Sequence, residues 1–440
     1  MTFRLLGGVS ALVIASWAGA SAAQDASHRS TEVQRRAEAT PLRVSLAYAL
    51  KRAAKSSPEL GPSRAAQRSA QRSREASRQW LSSNPRLELA AGPRLGADDG
   101  FDASIGLWQD IPLAGVGESR QRYADARAVA ARFMLRSAEL EAALSAGLAW
   151  VDARVARELL RIRQESVNSA KQLLEVTQTR FAAGAATAGD HALARSIHGA
   201  AKAGVLDAEG RRFSADIELA YAVGANAERA LEVIGKLDVD GKEFSEAEAF
   251  ARLASSPRLK QLAAEAKAAR AAATQSHAEG SPQLSLGPQV TREGTGDWVV
   301  LGRVSLPLPL IEPRRLESAE HRRTANVALA EYQRVQRGLR REVHLLLHER
   351  KHARRTRDAL ARDAIEPARV ALSEALLKYS SGKSTIQEVN VARLNLLDAK
   401  ERWLLAAADA RATELKLLAI TGRLPGAQFG LPQYARAEAK

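Results

Sequence analysis

The sequence predicts a mainly helical protein with a small β part, built from two copies of one structural unit. The string RFAAG at residues 180–184 returns as KYSSG at 378–382, and SPEL at 57–60 returns as SPRL at 256–259. Both echoes lie about 200 residues apart, which is the signature of an internal repeat. Long stretches without helix breakers alternate with short segments of alternating polarity, so each copy combines long helices with a pair of strands.

The first 22 residues have the layout of a cleavable secretory signal. Arg4 precedes an apolar stretch over residues 5–18, and a run of small residues ends at Ala22. A membrane anchor is the alternative, but this stretch of about 14 residues is shorter than the roughly 20 that a spanning helix needs. We expect a mature chain that begins near Ala23, with a polar leader over residues 23–40.

Composition restricts the classes of protein that remain. The chain has no cysteine, which excludes disulfides, thiolate metal sites and a lipid-attachment cysteine. Its formal charge of +15 would suit a nucleic-acid partner. However, basic residues alternate with acids along the helices, as at Arg157, Glu158 and Arg161, which favours solvated helix faces. A secreted or periplasmic basic coiled-coil protein that binds polyanions stays open as the alternative.

The first copy is predicted over residues 41–225 and begins with a helical region over about 44–81. Ser57-Pro58 breaks this region once, and Asn84-Pro85 stops it. Apolar and polar residues then alternate on both sides of the Gly/Asp-rich turn at 96–100, which predicts a β-hairpin.

A very long helix is predicted to follow this hairpin, from about 112 to 184, a span on the order of 100 Å. A return helix then covers about 190–224. The large apolar residues of the long helix follow a coiled-coil spacing and predict its buried seam. The seam residues are Leu140, Leu144, Leu148, Val151, Val155, Leu159 and Ile162.

The acidic stretch over residues 226–254 has no counterpart of equal length after the second copy. We interpret it as a linker that packs around the middle of the molecule. The second copy, over 255–422, repeats every element and places its long helix before Gly382. A C-terminal tail occupies residues 423–440.

Four strands per chain cannot form a closed barrel, and the open edges of a sheet in lipid would cost several kcal/mol per unpaired group. Transmembrane barrels need about eight strands or more, which permits a dimer and is met more comfortably by a trimer with twelve. The predicted fold is therefore mainly α, with long coiled-coil hairpins that form an α-barrel. Each chain adds four strands to a transmembrane β-barrel that two or more copies must share.

These features resemble the TolC-type outer-membrane efflux channels over roughly residues 42–425. The resemblance depends on the strand start at 84–87, the strand end at 111–113, and the two hairpin signatures at 180–190 and 378–393. Each motif is weak alone, but their order, spacing and duplication are specific.

The resemblance implies a homotrimer in the outer membrane, with a trimeric 12-stranded transmembrane β-barrel and contacts with outer-membrane lipid. It also implies a long periplasmic extension in which the helices form an α-barrel. It further implies passive export of solutes delivered by a periplasmic adaptor and an inner-membrane pump of the resistance-nodulation-division type. No catalysis, cofactor or nucleic-acid partner is implied. The passage at 111–115 (IPLAG) resembles the heavy-metal cation efflux branch (CzcC-like), which would make divalent metal cations the cargo.

The two glycine turns would form the periplasmic end of the tube. By the resemblance, the adaptor docks at these tips, and the candidate docking residues are Gly184, Ala185, Thr187, Gly382, Ser384 and Thr385. Asp190 and Glu388 lie just inside, where three copies would ring the pore entrance with carboxylates. The alternative for these two acids is compensation of the positive charge at a helix N-terminus.

Residues 348–352 read HERKH, a match to the H-E-x-x-H pattern of zinc proteases. Two positive residues lie between the histidines and no third ligand is evident, so protease activity is a remote alternative. His344 extends the pair to a ladder of His344, His348 and His352 along one side of the helix. These histidines are weak candidates for contact with metal ions, and a solvated polar face is the favoured interpretation.

Overall fold

The computed structural model describes residues 41–79, 81, 83–95, 100–113, 115–226, 229–237, 245–308 and 314–424. The predicted signal over 1–22, the leader over 23–40 and the tail beyond Leu424 lie outside these residues. None of the described helices is long and apolar enough to cross a membrane.

The first copy begins with a short strand and a broken helix, in agreement with the Ser57-Pro58 signal. Ser45 caps the first helix by accepting a hydrogen bond from the backbone N–H of Tyr48 at 3.2 Å, and a 3-10 turn at Pro58–Leu60 separates it from the next. The elements are β1 (Leu42–Val44), α1 (Leu46–Ser56), α2 (Gly61–Ala76), β2 (Arg86–Arg94), β3 (Gly100–Pro112), α3 (Val116–Ala182) and α4 (Ala188–Ala222).

The linker and the second copy repeat this order. The elements are β4 (Leu231–Val233), α5 (Glu246–Leu253), α6 (Pro257–Glu279), β5 (Gln283–Arg292), β6 (Trp298–Ser305), α7 (Arg315–Ala359), α8 (Glu366–Ser380) and α9 (Ile386–Ile420). The return helices α4 and α9 each contain 35 residues. Helix α3 contains 67 residues, which corresponds to a length on the order of 100 Å.

The second long helix runs to the turn at Gly382, but it is not α-helical throughout. Between α7 and α8 the chain forms a π-helical segment at Leu360–Ile365, and Pro367 follows in the first turn of α8. A proline cannot donate a backbone hydrogen bond, and its ring collides with the carbonyl four residues earlier in a regular α-helix. The wider π turn accommodates this residue without ending the helix.

The helices form a wall of four columns. Helices α2 and α4 both pack on α3, α2 through Arg74 and Asp125 at 2.5 Å and α4 further along α3. Helices α6 and α9 occupy the space between α3 and α7, and Arg163 of α3 pairs there with Glu401 of α9 at 2.7 Å. The column of α2 and α4 therefore forms one edge of the wall, and the column of α7 and α8 forms the other.

The predicted leucine seam of α3 is only partly correct. Val151 and Ile162 are buried in the main core, but the other seam residues are only partly buried. The most buried stripe consists of small residues around Trp150, among them Ala143 and Ala146. Small residues are buried here because α1, α4 and α9 all pack on α3, and several helices can lie close to it only where its side chains are small. Large side chains would hold these helices further away.

A single antiparallel sheet in the order β2-β3-β5-β6 lies at one end of the wall. Its register places Leu87 opposite Leu107, Ile105 opposite Val290 and Val290 opposite Val300. Directly paired residues point to the same side of a sheet, so these residues share one face. The large apolar residues of that face are exposed in the single chain and include Leu87, Leu89, Phe101, Ile105, Leu107, Trp298, Val300 and Val304.

The opposite face of the sheet is polar. Arg86 pairs with Asp110 at 3.0 Å, and Arg94 pairs with Asp102 at 3.2 Å. Strands β2 and β6 are the edges of this sheet, and they connect to α2 and α7, the helices at the edges of the wall.

The main core lies midway along the wall and involves the linker. Strand β4 pairs in parallel with β1, and the indole Nε1 of Trp150 donates to the carbonyl of Val44 at 3.1 Å. Helix α5 packs separately on α7 through Phe250, Leu253 and Val343. The linker thereby contacts both copies.

Candidate functional site

The turns at the far ends of the hairpins share one backbone design. Gly184 has φ 72° and Gly382 has φ 77°, values that glycine adopts without strain. At the first tip the N–H of Ala185 donates to the carbonyl of Arg180 at 2.7 Å, and at the second the N–H of Lys383 donates to Lys378 at 2.8 Å. This pattern is the Schellman motif, which satisfies the last carbonyls of a helix.

At the first tip, Thr187 and Asp190 cap α4 reciprocally. The N–H of Asp190 donates to Thr187 Oγ1 at 3.1 Å, and the N–H of Thr187 donates to Asp190 Oδ2 at 3.0 Å. This capping box satisfies two N–H groups that have no partner within the helix. Asp190 thus caps the N-terminus of α4, which agrees with the interpretation that this acid compensates the positive charge there.

At the second tip, Thr385 and Glu388 occupy the same positions before α9. The N–H of Glu388 donates to Thr385 Oγ1 at 3.3 Å, and Ser384 Oγ donates to Glu388 Oε2 at 2.7 Å. The hydroxyl groups of Ser384 and Thr385 lower the pKa of the Glu388 carboxyl group, because they donate to its ionised form. The carboxylate is exposed, so it stays available to solvent.

The two tips are joined by Arg180, a residue of the first copy. Its guanidinium lies 4.5 Å from the centre of the Tyr379 ring, and it donates hydrogen bonds to the carbonyl of Tyr379 and to that of Ala185, the latter at 2.9 Å. The Tyr379 hydroxyl lies 3.1 Å from Thr177 Oγ1. Thr177 uses its own hydrogen to donate to Leu173, so Tyr379 is the donor in this pair.

An apolar cluster continues this joint away from the tips. It contains Leu173 of α3, Ile197 of α4, Leu372 of α8 and Val389 of α9. Both copies therefore contribute to one buried core beside the turns. This arrangement allows the tips to act as one unit while the joint is intact.

Sequence reasoning missed Thr177, Arg180 and Tyr379. It concentrated on the glycines and on the residues after them, all of which lie in the turns and caps. A signal was present, because alignment of the two copies sets Tyr379 against Phe181 and adds one hydroxyl group to an otherwise apolar position. The partner of that hydroxyl depends on how two distant helices pack, which periodicity does not reveal.

The three candidate histidines do not form one ligand set. His344 Nδ1 lies 2.9 Å from Glu246 Oε1 of α5, whereas His348 and His352 stack with ring centres 6.4 Å apart. The latter two line an open groove of about 670 Å³ between α7 and α9. Within the part of the chain that the structure describes, no three His, Cys, Asp or Glu side chains are grouped so as to hold a metal ion.

The wall of long helices with a two-faced sheet at one end is the architecture of outer-membrane channels. The fold matches the outer membrane protein VceC of Vibrio cholerae with a TM-score of 0.71 and 18% identity, over 86% of this chain and 96% of that one. It matches the CmeC outer membrane channel of Campylobacter jejuni with a TM-score of 0.71 and 16% identity, over 89% and 88%. The open state of the MtrE outer membrane channel of Neisseria gonorrhoeae gives a TM-score of 0.67 and 18% identity, over 86% and 89%.

The family model for outer membrane efflux proteins matches residues 49–225 and 251–423. The chain belongs to the outer membrane efflux protein family, the TolC-type channels, and it is an efflux protein of the outer membrane. No curated protein matches the sequence. Members of this family are channels and not enzymes, so the prediction of a non-enzyme is confirmed and the pattern at 348–352 is not a protease site.

Proposed function

We propose that this chain is the outer-membrane channel of a tripartite efflux system and conducts solutes passively out of the periplasm. The observation that supports the proposal is that the edges of the sheet and the edges of the helical wall belong to connected elements. The sheet ends at β2 and β6, and the wall ends at the helices joined to those same strands. In copies placed side by side, β6 of one copy would pair with β2 of the next. The same arrangement would bring α7 and α8 of one copy against α2 and α4 of the next and so continue the helical wall.

A homotrimer closes this arrangement with twelve strands, within the range of known transmembrane barrels. The apolar face of the sheet would then face lipid, and the face with the ion pairs would line the water-filled interior. Closure would also satisfy the open strand edges, which lipid cannot do.

The test is to isolate the protein from outer membranes and measure its assembly and conductance. A detergent-dependent, heat-modifiable trimer that conducts ions in planar bilayers is expected. A soluble mature protein that sediments with nucleic acid would overturn the proposal and support the polyanion-binding alternative. Substitution of alternate β6 residues by proline would be the matched loss-of-assembly control, because proline removes edge hydrogen bonds.

The tips are proposed as the docking site for the periplasmic adaptor and an inner-membrane pump of the resistance-nodulation-division type. The two turns support this role, because Ala185 and Gly382 are exposed and Ser384 is half-buried beside them. Asp190 and Glu388 are proposed to ring the pore entrance in addition to capping their helices. Crosslinking from cysteines introduced at Ala185 and Ser384 should capture the adaptor, and cysteines in the sheet loops should not.

Divalent metal cations are the proposed cargo, from the likeness of residues 111–115 to the cation efflux branch. An open groove of about 970 Å³ between α3 and α4 supports this cargo, because the acids in its lining outnumber the one basic residue, Arg211. These acids are Glu141, Asp152, Asp207 and Glu218. Burial raises the pKa of Asp152, and a nearby cation would favour its ionised form. A deletion strain should lose tolerance to metal ions, whereas loss of drug tolerance alone would overturn this cargo.

A further inference from the structure

Arg393 of α9 is a buried cation without a carboxylate partner among the described residues. Only 7% of the residue is exposed. Its Nη1 donates to Ser166 Oγ at 2.8 Å and its Nη2 donates to Asn390 Oδ1 at 3.1 Å, both neutral groups. The buried Nε has no hydrogen-bond partner in the part of the chain that the structure describes. A buried charge in this state is costly unless a counter-ion or a polar ligand compensates it.

A small cavity of about 50 Å³ lies beside this guanidinium, between α3, α8 and α9. Ser169 and Lys400 also line it. The buried Ser169 hydroxyl likewise has no hydrogen-bond partner within the described ranges. A water molecule needs about 10–15 Å³ of such volume. The cavity therefore accepts a small ion with its water and excludes an organic phosphate.

The charge around the cavity is positive. Glu165 also lines it, but its carboxylate accepts from Lys400 at 2.6 Å and pairs with Arg161. Burial raises the pKa of Glu165, yet the hydrogen bond and charge of Lys400, with Arg161, outweigh burial and leave it lowered. Glu165 thus neutralises its own partners and leaves the charge of Arg393 uncompensated.

We propose that this cavity binds a small monovalent anion of the halide class, chloride in the cell. The Nε–H of Arg393 and the hydroxyl of Ser169 would donate to it, which satisfies both unpartnered groups at once. Ser169 belongs to the first copy and Arg393 to the second. The ion therefore holds α9 on α3, directly beside the apolar cluster that joins the two tips.

The direct test is a bromide soak of crystals of the full-length protein, followed by anomalous diffraction. A bromide peak within hydrogen-bonding reach of Arg393 Nε and Ser169 Oγ is expected. A water molecule in this position, with no anomalous peak, would overturn the proposal.

Thermal unfolding in detergent provides a second readout. The unfolding midpoint should be higher by a few degrees in chloride than in gluconate at the same ionic strength, because the ion binds the folded state. Ser169→Ala and Arg393→Lys should remove most of this difference.

The matched control is Ser276→Ala in α6. Its hydroxyl is also buried and without a partner, but it does not line the cavity, so the chloride effect should persist. An equal chloride effect in wild type and Ser169→Ala would show that the ion acts elsewhere and would sink the proposal. If Arg393→Lys does not fold, Ser169→Ala carries the test alone.

Discussion

The two hairpin tips have the same backbone, but their side chains behave in opposite ways. Phe181 and Tyr379 occupy equivalent positions in the two copies. Phe181 is 43% exposed and stacks on His191 with ring centres 5.4 Å apart. Tyr379 is 3% exposed and lies beneath Arg180.

The preceding residues differ in the same sense. Arg180 reaches from the first copy to the second, whereas its counterpart Lys378 pairs with Glu374 at 3.4 Å on an exposed helix face. Both copies therefore have the same turn. Two side-chain differences, Arg180 against Lys378 and Tyr379 against Phe181, produce the contact that joins the tips. The first tip keeps its aromatic residue in solvent.

Truncation of the two aromatic residues should give the largest difference in stability between the tips. Tyr379→Ala should lower the free energy of opening at the second tip by about 3–5 kcal/mol, because it empties a packed site and removes the platform for Arg180. Phe181→Ala should change it by less than about 1 kcal/mol, because this ring is largely solvated. Native-state hydrogen exchange at the α8–α9 turn measures the opening free energy. Equal effects of the two changes would refute a one-sided joint.

The basic residues give the next largest difference. Arg180→Ala should cost about 2 kcal/mol of the same opening free energy, through the loss of two hydrogen bonds and the contact with the Tyr379 ring. Lys378→Ala should lie within about 0.5 kcal/mol of wild type, because its ion pair is exposed. Conductance in planar bilayers provides a functional readout, and Arg180→Ala should raise the resting conductance where Lys378→Ala does not.

A single hydroxyl group sharpens the comparison further. Tyr379→Phe removes the donor to Thr177 and should cost about 1 kcal/mol. Phe181→Tyr places a hydroxyl in solvent and should be neutral in the hydrogen-exchange assay. If both changes lowered the opening free energy, the effect of the hydroxyl group would not depend on the burial of the ring, and the proposed difference between the tips would be wrong.

The smallest expected effect is the response of the second tip to pH. The pKa of Glu388 is lowered from its ordinary value of 4.5, so its contribution to stability is complete above that pH. It is lost as the pH falls through the lowered value, because protonation removes the acceptor of the Ser384 and Thr385 hydroxyls. Hydrogen exchange, corrected for intrinsic rates, should show opening that increases only below about pH 4.5. Glu388→Gln should abolish this dependence, and a response that persists in this variant would contradict the assignment.

Local signals in the sequence were sufficient for the turns and the strands. Gly184 and Gly382 predicted the tips because positive φ is rare for other residues, and alternation at Leu87 and Leu89 predicted a two-faced sheet. The family resemblance was confirmed by the match to the family model over residues 49–225 and 251–423. These features depend on a few neighbouring residues, which the sequence displays directly.

Features that depend on packing between distant segments were missed or wrong. The leucine spacing of α3 placed the seam on Leu144 and Leu148, but close approach of other helices buries Ala143 and Ala146 instead. The burial of Tyr379 likewise depends on neighbours far along the chain. The π-helical segment before Pro367 was also missed, although its cause is the local proline. Periodicity identifies an apolar stripe without showing which partner covers it.

The equal length of α4 and α9, each of 35 residues, restricts how this protein can be altered. Both helices end in the same glycine motif, at Gly224 and Gly422. Because their lengths are equal, each tip lies at the same distance from its glycine. Removal of seven residues from each of the two helices of one hairpin would raise its tip by about 10 Å. Arg180 would then be out of reach of Tyr379. A change in hairpin length is therefore tolerated only when it occurs in both copies at once, and an insertion in one hairpin alone leaves the two tips at different levels.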